Sequence, residues 1–164
     1  MYKLLINYCK NVTIVTKRDG FMSKIIIASD HGGFSLKNDI IKHLNEQGFD
    51  IEDFGCYSCD ACDYPVYAQK VAQAIQSDID HKTMGILVCG TGIGMSIAAN
   101  RFDGIRASHC TDTFSARMTR MHNNSNILCL GERITGRGLA LDIVDIWLNT
   151  DFEGGKHQKR IDMI

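Results

Sequence analysis

Residues able to move protons and hold an anion concentrate in three short stretches of the chain. Asp30-His31-Gly32-Gly33 offers a carboxylate and an imidazole, Cys89-Gly-Thr-Gly-Ile-Gly94 a thiol and a hydroxyl in a glycine-rich turn, and His122-Asn123-Asn124 a second imidazole beside two amides. Together they are an inventory for acid–base chemistry. In the turn, the backbone N–H groups of Gly90, Thr91, Gly92, Ile93 and Gly94 can line a concavity for an anion, because glycine lets a ligand approach the main chain closely. The spacing excludes several familiar anion loops. Met95 stands where a nucleotide loop needs lysine, and also where a phosphatase loop built on Cys89 needs arginine; Gly94 falls one position early for a dinucleotide fingerprint. A plain strand-to-helix turn remains the alternative.

Seven cysteines stand at positions 9, 56, 59, 62, 89, 110 and 129 of 164 residues. An odd number in a chain of this length argues for a reducing, cytoplasmic setting rather than a disulfide framework. Cys89, at the end of an apolar run and against the glycine turn, is placed for thiolate chemistry, with an inert core thiol as its alternative. Cys110 and Cys129 lack such a turn and read as core. Cys56-x-x-Cys59-x-x-Cys62 invites a metal, yet Val66 occupies the place of a fourth iron–sulfur ligand and zinc would need a remote donor such as His43 or His81. It reads instead as a thiol-rich polar loop. His122 has a solvated loop histidine as its alternative. The stretch from Glu153 to Arg160 gathers Lys156, Lys159 and Arg160 around His157, a solvated basic end or a phosphate clamp.

Positioning these stretches requires alternating short apolar runs and longer segments of helical spacing, which predict strands over 24–29, 49–54, 84–89, 105–109 and 126–130. Helices are expected from Phe34 to the stop at Gly48, over 66–77, briefly after Gly94, near 112–121 and over about 137–148. The pattern is that of one single-domain, three-layer α/β/α fold, Rossmann-like, with a five-stranded parallel sheet covered on both faces. Ligands of such sheets bind at the carboxyl ends of the strands, so the three chemistry-bearing stretches are expected to converge there.

Eighteen basic against 19 acidic residues leave a formal charge of -1, too little for long-range attraction to nucleic acid or an anionic membrane. No run approaches the ~18 apolar residues of a membrane span. The first 21 residues differ, with four basic residues and one acidic. Lacking the features of a secretory or organelle signal, residues 1–21 read as a dispensable extension or an upstream-start artefact, because Met22-Ser-Lys leading into Ile25-Ile26-Ile27 looks like a natural start. The functional domain is then 22–164.

The ordered set Ser29-Asp-His-Gly-Gly33, Asp63-Tyr-Pro65, Cys89-Gly-Thr-Gly-Ile-Gly94, Ser96-Ile-Ala-Ala-Asn100, Gly104-Ile-Arg-Ala107, His122-Asn-Asn-Ser-Asn126, Gly131-Glu-Arg133 and Glu153-Gly-Gly-Lys-His-Gln-Lys-Arg160 resembles ribose-5-phosphate isomerase type B from Met22 to the C-terminus. The resemblance implies an aldose–ketose isomerase that interconverts ribose 5-phosphate and ribulose 5-phosphate with no metal or organic cofactor. It implies that His122 opens the sugar ring, that Cys89 is the base moving a proton between C2 and C1, that the N–H groups of Gly90 to Gly94 stabilise the enediolate, and that Thr91 hydrogen-bonds the thiol or the sugar oxygens. Asp30, His31 and Asn123 match substrate contacts, and Arg133, Lys156 and Arg160 the phosphate-binding positions. Lys156 stands where arginine is common, a point charge replacing a bidentate fork. Met95, where another branch of the family carries a glutamate base, places the chain on the cysteine branch. The partner implied is a small sugar phosphate, in a homodimer or dimer of dimers whose sites are shared between subunits. Isomerases of galactose 6-phosphate or allose 6-phosphate and, from another class, a non-catalytic sugar-phosphate-binding module are the alternatives.

Overall fold

The run Ile25-Ile26-Ile27-Ala28 can be satisfied only by burial on both sides, and β1 (Ile25–Ser29) is wholly buried. In the computed structural model, which describes residues 24–80 and 82–164, β1 is joined by β2 (Ile51–Asp53), β3 (Met84–Cys89), β4 (Ala107–His109) and β5 (Ile127–Gly131) in one all-parallel sheet of order β2-β1-β3-β5-β4. The proposed extension 1–21 lies outside the described residues. Order reverses between β1 and β3, so the crevice that an open sheet offers to ligands opens beside Ser29 and Cys89.

Period-two alternation divides the core. Ile25, Ile27, Ile86, Val88, Leu128 and Leu130 face α1 (Phe34–Glu46) and α5 (Arg137–Leu148), whose Ile40, Leu44, Val144 and Trp147 are fully buried against them. Ile26, Ala28, Leu87, Cys89, Ile127 and Cys129 face α2 (Tyr64–Gln76) and α3 (Ile93–Ala99). Each such aliphatic side chain removed from water contributes ~1.5–3 kcal/mol. Cys110 and Cys129 are buried as core groups, and burial pushes both thiols upward, Cys110 to about 11.

Four boundaries differ from expectation. β2 and β4 are shorter, three residues each. α2 starts at Tyr64, with Pro65 in its first turn, where a missing N–H costs no helical hydrogen bond. α4 (Thr113–Asn123) runs past residue 121 until Asn124 adopts a left-handed conformation, φ 46°, which asparagine tolerates; His122 and Asn123 therefore sit on the last helical turn, not on a loop. The C-terminal basic stretch is not a loose end but α6 (Lys156–Ile161), packed against α4.

Candidate active site

The carboxyl ends of β1, β3 and β5 bring together one group of expected residues. Asp30 caps the single 3-10 turn His31–Gly33 by accepting the Gly32 N–H at 2.8 Å. Gly33 sits so close to the end of β3 that a Cβ would lie 2.5 Å from the Val88 carbonyl carbon, which brings the Asp30 loop against the Cys89 loop. Cys89 is 4% exposed and its Sγ accepts the Gly92 N–H at 3.0 Å. Gly92 achieves this with φ 78°, in a space bounded by His109 and the Leu130 backbone. Thr91 is exposed, its hydroxyl accepting the Ile93 N–H at 3.4 Å.

The turn after β5 completes this wall. Arg133 donates its backbone N–H to Gly90 C=O at 3.0 Å, and its side chain lies alongside Gly90 with the guanidinium near Gly32. Glu132, part of the Gly131-Glu-Arg133 motif but without an expected role, accepts the Leu36 N–H at 2.8 Å and so ties the turn to the start of α1. His31 is exposed, and its Nδ1 lies 3.2 Å from both the N–H and the C=O of Cys62. Gly94 packs against the Tyr64 ring. A thiol, a carboxylate, an imidazole, a guanidinium and glycine N–H groups thus share one open wall.

His122, Asn123 and Arg160 are elsewhere. α4 leads into the amino end of β5, whereas Cys89 pairs with Gly131 at its carboxyl end, about 13 Å of strand away. The expected convergence of three stretches within one chain does not occur, because a helix that precedes a parallel strand must deliver its last turn to that strand's amino end. There the stacked imidazoles of His122 and His157, centroids 4.2 Å apart, line a cavity of about 270 Å³ with Asn123, Arg160, Ile161 and Ile164. Lys156, at the start of α6, is exposed beside it.

Two members of this second cluster were not singled out as site residues from the sequence. Glu153 Oε2 lies 3.9 Å from His122 Nε2 and 3.4 Å from His157 Nε2, and His157 is buried at 6% exposure. Burial, then the His122, Lys156 and Arg160 charges, hold the His157 imidazole below its ordinary range against the opposing pull of Glu153. The Glu153/His157 spacing of four residues was the available signal. Among the described residues His122, Glu153 and His157 are close enough to hold one ion. Their rings are parallel to within 7°, however, so the in-plane lone pairs run side by side instead of converging on a tetrahedral centre; the arrangement suits proton sharing. The cysteines of the β2–α2 loop form no such group.

Comparison with known proteins agrees with this architecture. The family model described as Ribose/Galactose Isomerase matches residues 25–164. Ribose-5-phosphate isomerase B of Escherichia coli is 48% identical over 144 residues, 87% of this chain and 95% of the relative. A solved ribose-5-phosphate isomerase B of Clostridium thermocellum superposes with a TM-score of 0.82 at 50% identity, covering 85% of this chain and 93% of that one. That of Mycoplasma genitalium, solved with bound ribulose-5-phosphate, gives 0.84 at 42% identity over 87% and 95%. A family match spanning the whole described sheet, together with relatives this similar over nearly their full lengths, shows that the chain belongs to the ribose/galactose isomerase family.

Proposed function

We propose that the protein interconverts D-ribose 5-phosphate and D-ribulose 5-phosphate, with its two half-sites joined across a homodimer. The observation that carries this reading is the Cys89 sulfur, seated at the end of β3 with the Gly92 N–H directed at it and Arg133 alongside the same loop. Mere binding of a sugar phosphate needs no such thiol. The Escherichia coli relative's name and the ribulose 5-phosphate in the Mycoplasma genitalium structure support the five-carbon substrate.

In this mechanism His122 accepts the anomeric hydroxyl proton and returns one to the ring oxygen, which opens the sugar. Cys89 as thiolate removes the C2 proton, leaving an enediolate whose oxygen charge the loop N–H groups stabilise without reorganising. The proton is delivered to C1, and transfer from O2 to O1 completes an isomerisation with no change in overall composition. Asp30, His31, Thr91 and Asn123 hold the sugar hydroxyls; Arg133 from one chain, with Lys156 and Arg160 from a second copy, holds the phosphate. Glu153 and His157 steady His122. A two-fold axis that faces the Cys89 end of each chain to the His122 end of the other builds two such composite sites at once. Ile93 and Ile97 on α3 and Val66 on α2, each about half exposed or more, supply apolar surface for the contact.

Chelator-treated protein is expected to interconvert the two pentose phosphates and to exchange the C2 proton with solvent. Cys89→Ala should lower kcat by a factor on the order of 10³, the range for loss of a positioned base. Near-normal turnover in that variant refutes the base assignment, and higher kcat/KM on allose 6-phosphate or galactose 6-phosphate moves the substrate to six carbons.

A further inference from the structure

Lys37 is a wholly buried cation that the isomerase reading leaves unused. It stands in the first turn of α1 at 0% exposure, and its Nζ lies 2.5 Å from Asp53 Oδ2 at the end of β2. The rings of Phe34 and Tyr57 flank the ammonium, with centroids 5.6 and 5.4 Å away. Burying a charge is costly, and a buried ion pair adds little stability over apolar groups of the same size. What this pair does hold is a chain of hydrogen bonds. The other oxygen of Asp53, Oδ1, accepts the Gly55 N–H at 2.9 Å, and the Tyr57 hydroxyl donates to the Asp53 carbonyl at 2.8 Å. Gly55 C=O accepts the Ser29 N–H at 2.6 Å, and Ser29 C=O accepts the Cys56 N–H at 2.8 Å. The peptide joining Ser29 to Asp30 is thus held from both sides, its C=O by Cys56 and its N–H by the Val88 carbonyl of β3 at 3.2 Å. The Asp30 side chain, which caps Gly32, leaves the backbone directly after that peptide.

We propose that Lys37 is a positioning residue for the substrate-facing loop: by fixing Asp53 it holds Gly55 and Cys56 against Ser29, and so sets the direction of the Asp30 side chain. Without Lys37, the Asp53 carboxylate turns towards the solvent that already reaches 29% of its side chain. Gly55 then loses its acceptor. The Ser29–Asp30 peptide keeps only its bond to Val88, about which it is free to rock. The ammonium also reaches the other end of the same loop, because Phe34 follows directly on the His31–Gly33 turn.

The consequence falls on sugar binding. Asp30 holds sugar hydroxyls in the proposed mechanism, whereas Cys89 and the Gly92 N–H directed at it belong to β3 and the glycine turn, which the Lys37 chain does not touch. Placement of Asp30 stands on the hydrogen bonds alone; its effect on turnover rests on the isomerase reading above.

The test compares the full-length wild type with Lys37→Met, which keeps the bulk of the stem, and with Lys37→Met combined with Asp53→Leu. The second variant replaces the ion pair by an apolar one and leaves no unpaired charge, so it decides the matter if the first does not fold. Isotope labels are placed on the glycine nitrogens and on the carbonyl carbons of histidine and methionine. His31–Gly32 and Met84–Gly85 are the chain's only His–Gly and Met–Gly steps, so nuclear magnetic resonance picks out those glycine amides. Gly32 reports on its bond to Asp30; Gly85, buried and donating to Asn126 C=O at 2.8 Å, reports opening of the fold. In both variants the Gly32 amide should exchange with solvent about tenfold faster relative to Gly85. KM for ribose 5-phosphate should rise about tenfold, the loss of one well-oriented hydrogen bond, with kcat nearly kept. A Gly32 rate that stays in step with Gly85 in the paired variant overturns the proposal, whatever the KM, because Lys37 then only supports the fold. Faster Gly32 exchange with unchanged KM overturns the link to sugar binding. Failure of the isomerase reading shows instead as no turnover in the wild-type protein.

Discussion

His157 fills a buried place with a ring that does not welcome charge. Its neighbours are the His122 ring, Lys156 and Arg160, with Glu153 alone in its favour, and together with burial they hold its imidazole below the ordinary 6.5. The unfolded chain therefore takes up the proton more readily than the folded one. The stabilising contribution is complete above the ordinary histidine value and is lost as pH falls through it towards the lower folded value. His157→Gln removes that titration, so the fall in urea midpoint between pH 7.5 and pH 5.5 should be smaller in the variant than in the wild type. An equal fall shows that His157 does not titrate on unfolding. At this scale the sequence was uneven. Cys89 and the Asp30 loop were legible as candidates because glycines and an apolar run frame them, whereas Glu153 and His157 lie in a stretch dominated by lysine and arginine, where nothing local marks the pair as packed against His122.

The elements depend on a few places where backbone meets backbone. Gly92 ends the glycine turn at φ 78°, and a Cβ there would lie 2.7 Å from His109 Cδ2 and 2.9 Å from the Leu130 carbonyl carbon. Gly92→Ala combines left-handed strain with these contacts and should cost about 2 kcal/mol. A lowered urea midpoint at unchanged slope is the expected measurement, with kcat reduced as well because the N–H on Cys89 is displaced; an unchanged midpoint means the turn relaxes freely. Strands and helices of the sheet could be read from periodicity, since alternation and helical spacing are local. What escaped was terminal: α4 continues to His122 because Asn124 can take a left-handed cap, and α6 forms because His157 buries itself against α4. The first is a conformational tolerance that composition shows only weakly, and the second is a tertiary contact that no local pattern contains.

For the molecule as a whole, the sheet that gathers Asp30, Cys89 and Arg133 also sets His122 and Arg160 at its other end. Topology, more than any motif, decided this: every parallel strand separates the loop before it from the loop after it. The proposed dimer makes a quantitative prediction. Cys89→Ala and His122→Gln proteins, each nearly inactive, should regain about a quarter of wild-type turnover when mixed in equal amounts and allowed to exchange subunits. Half the dimers are then mixed, and each mixed dimer has one site free of both lesions. No recovery, with exchange verified by mass, places both residues in one chain's site. Among the described residues no helix is long and apolar enough to cross a membrane. The separation of Cys89 from His122 along β5 also bears on how the enzyme comes into being. On the proposed arrangement a freshly folded chain holds a thiol without its acid and an acid without its thiol, so folding alone makes no catalyst. On that arrangement reactivity arrives only with pairing, and an unpartnered chain stays chemically idle towards its sugars.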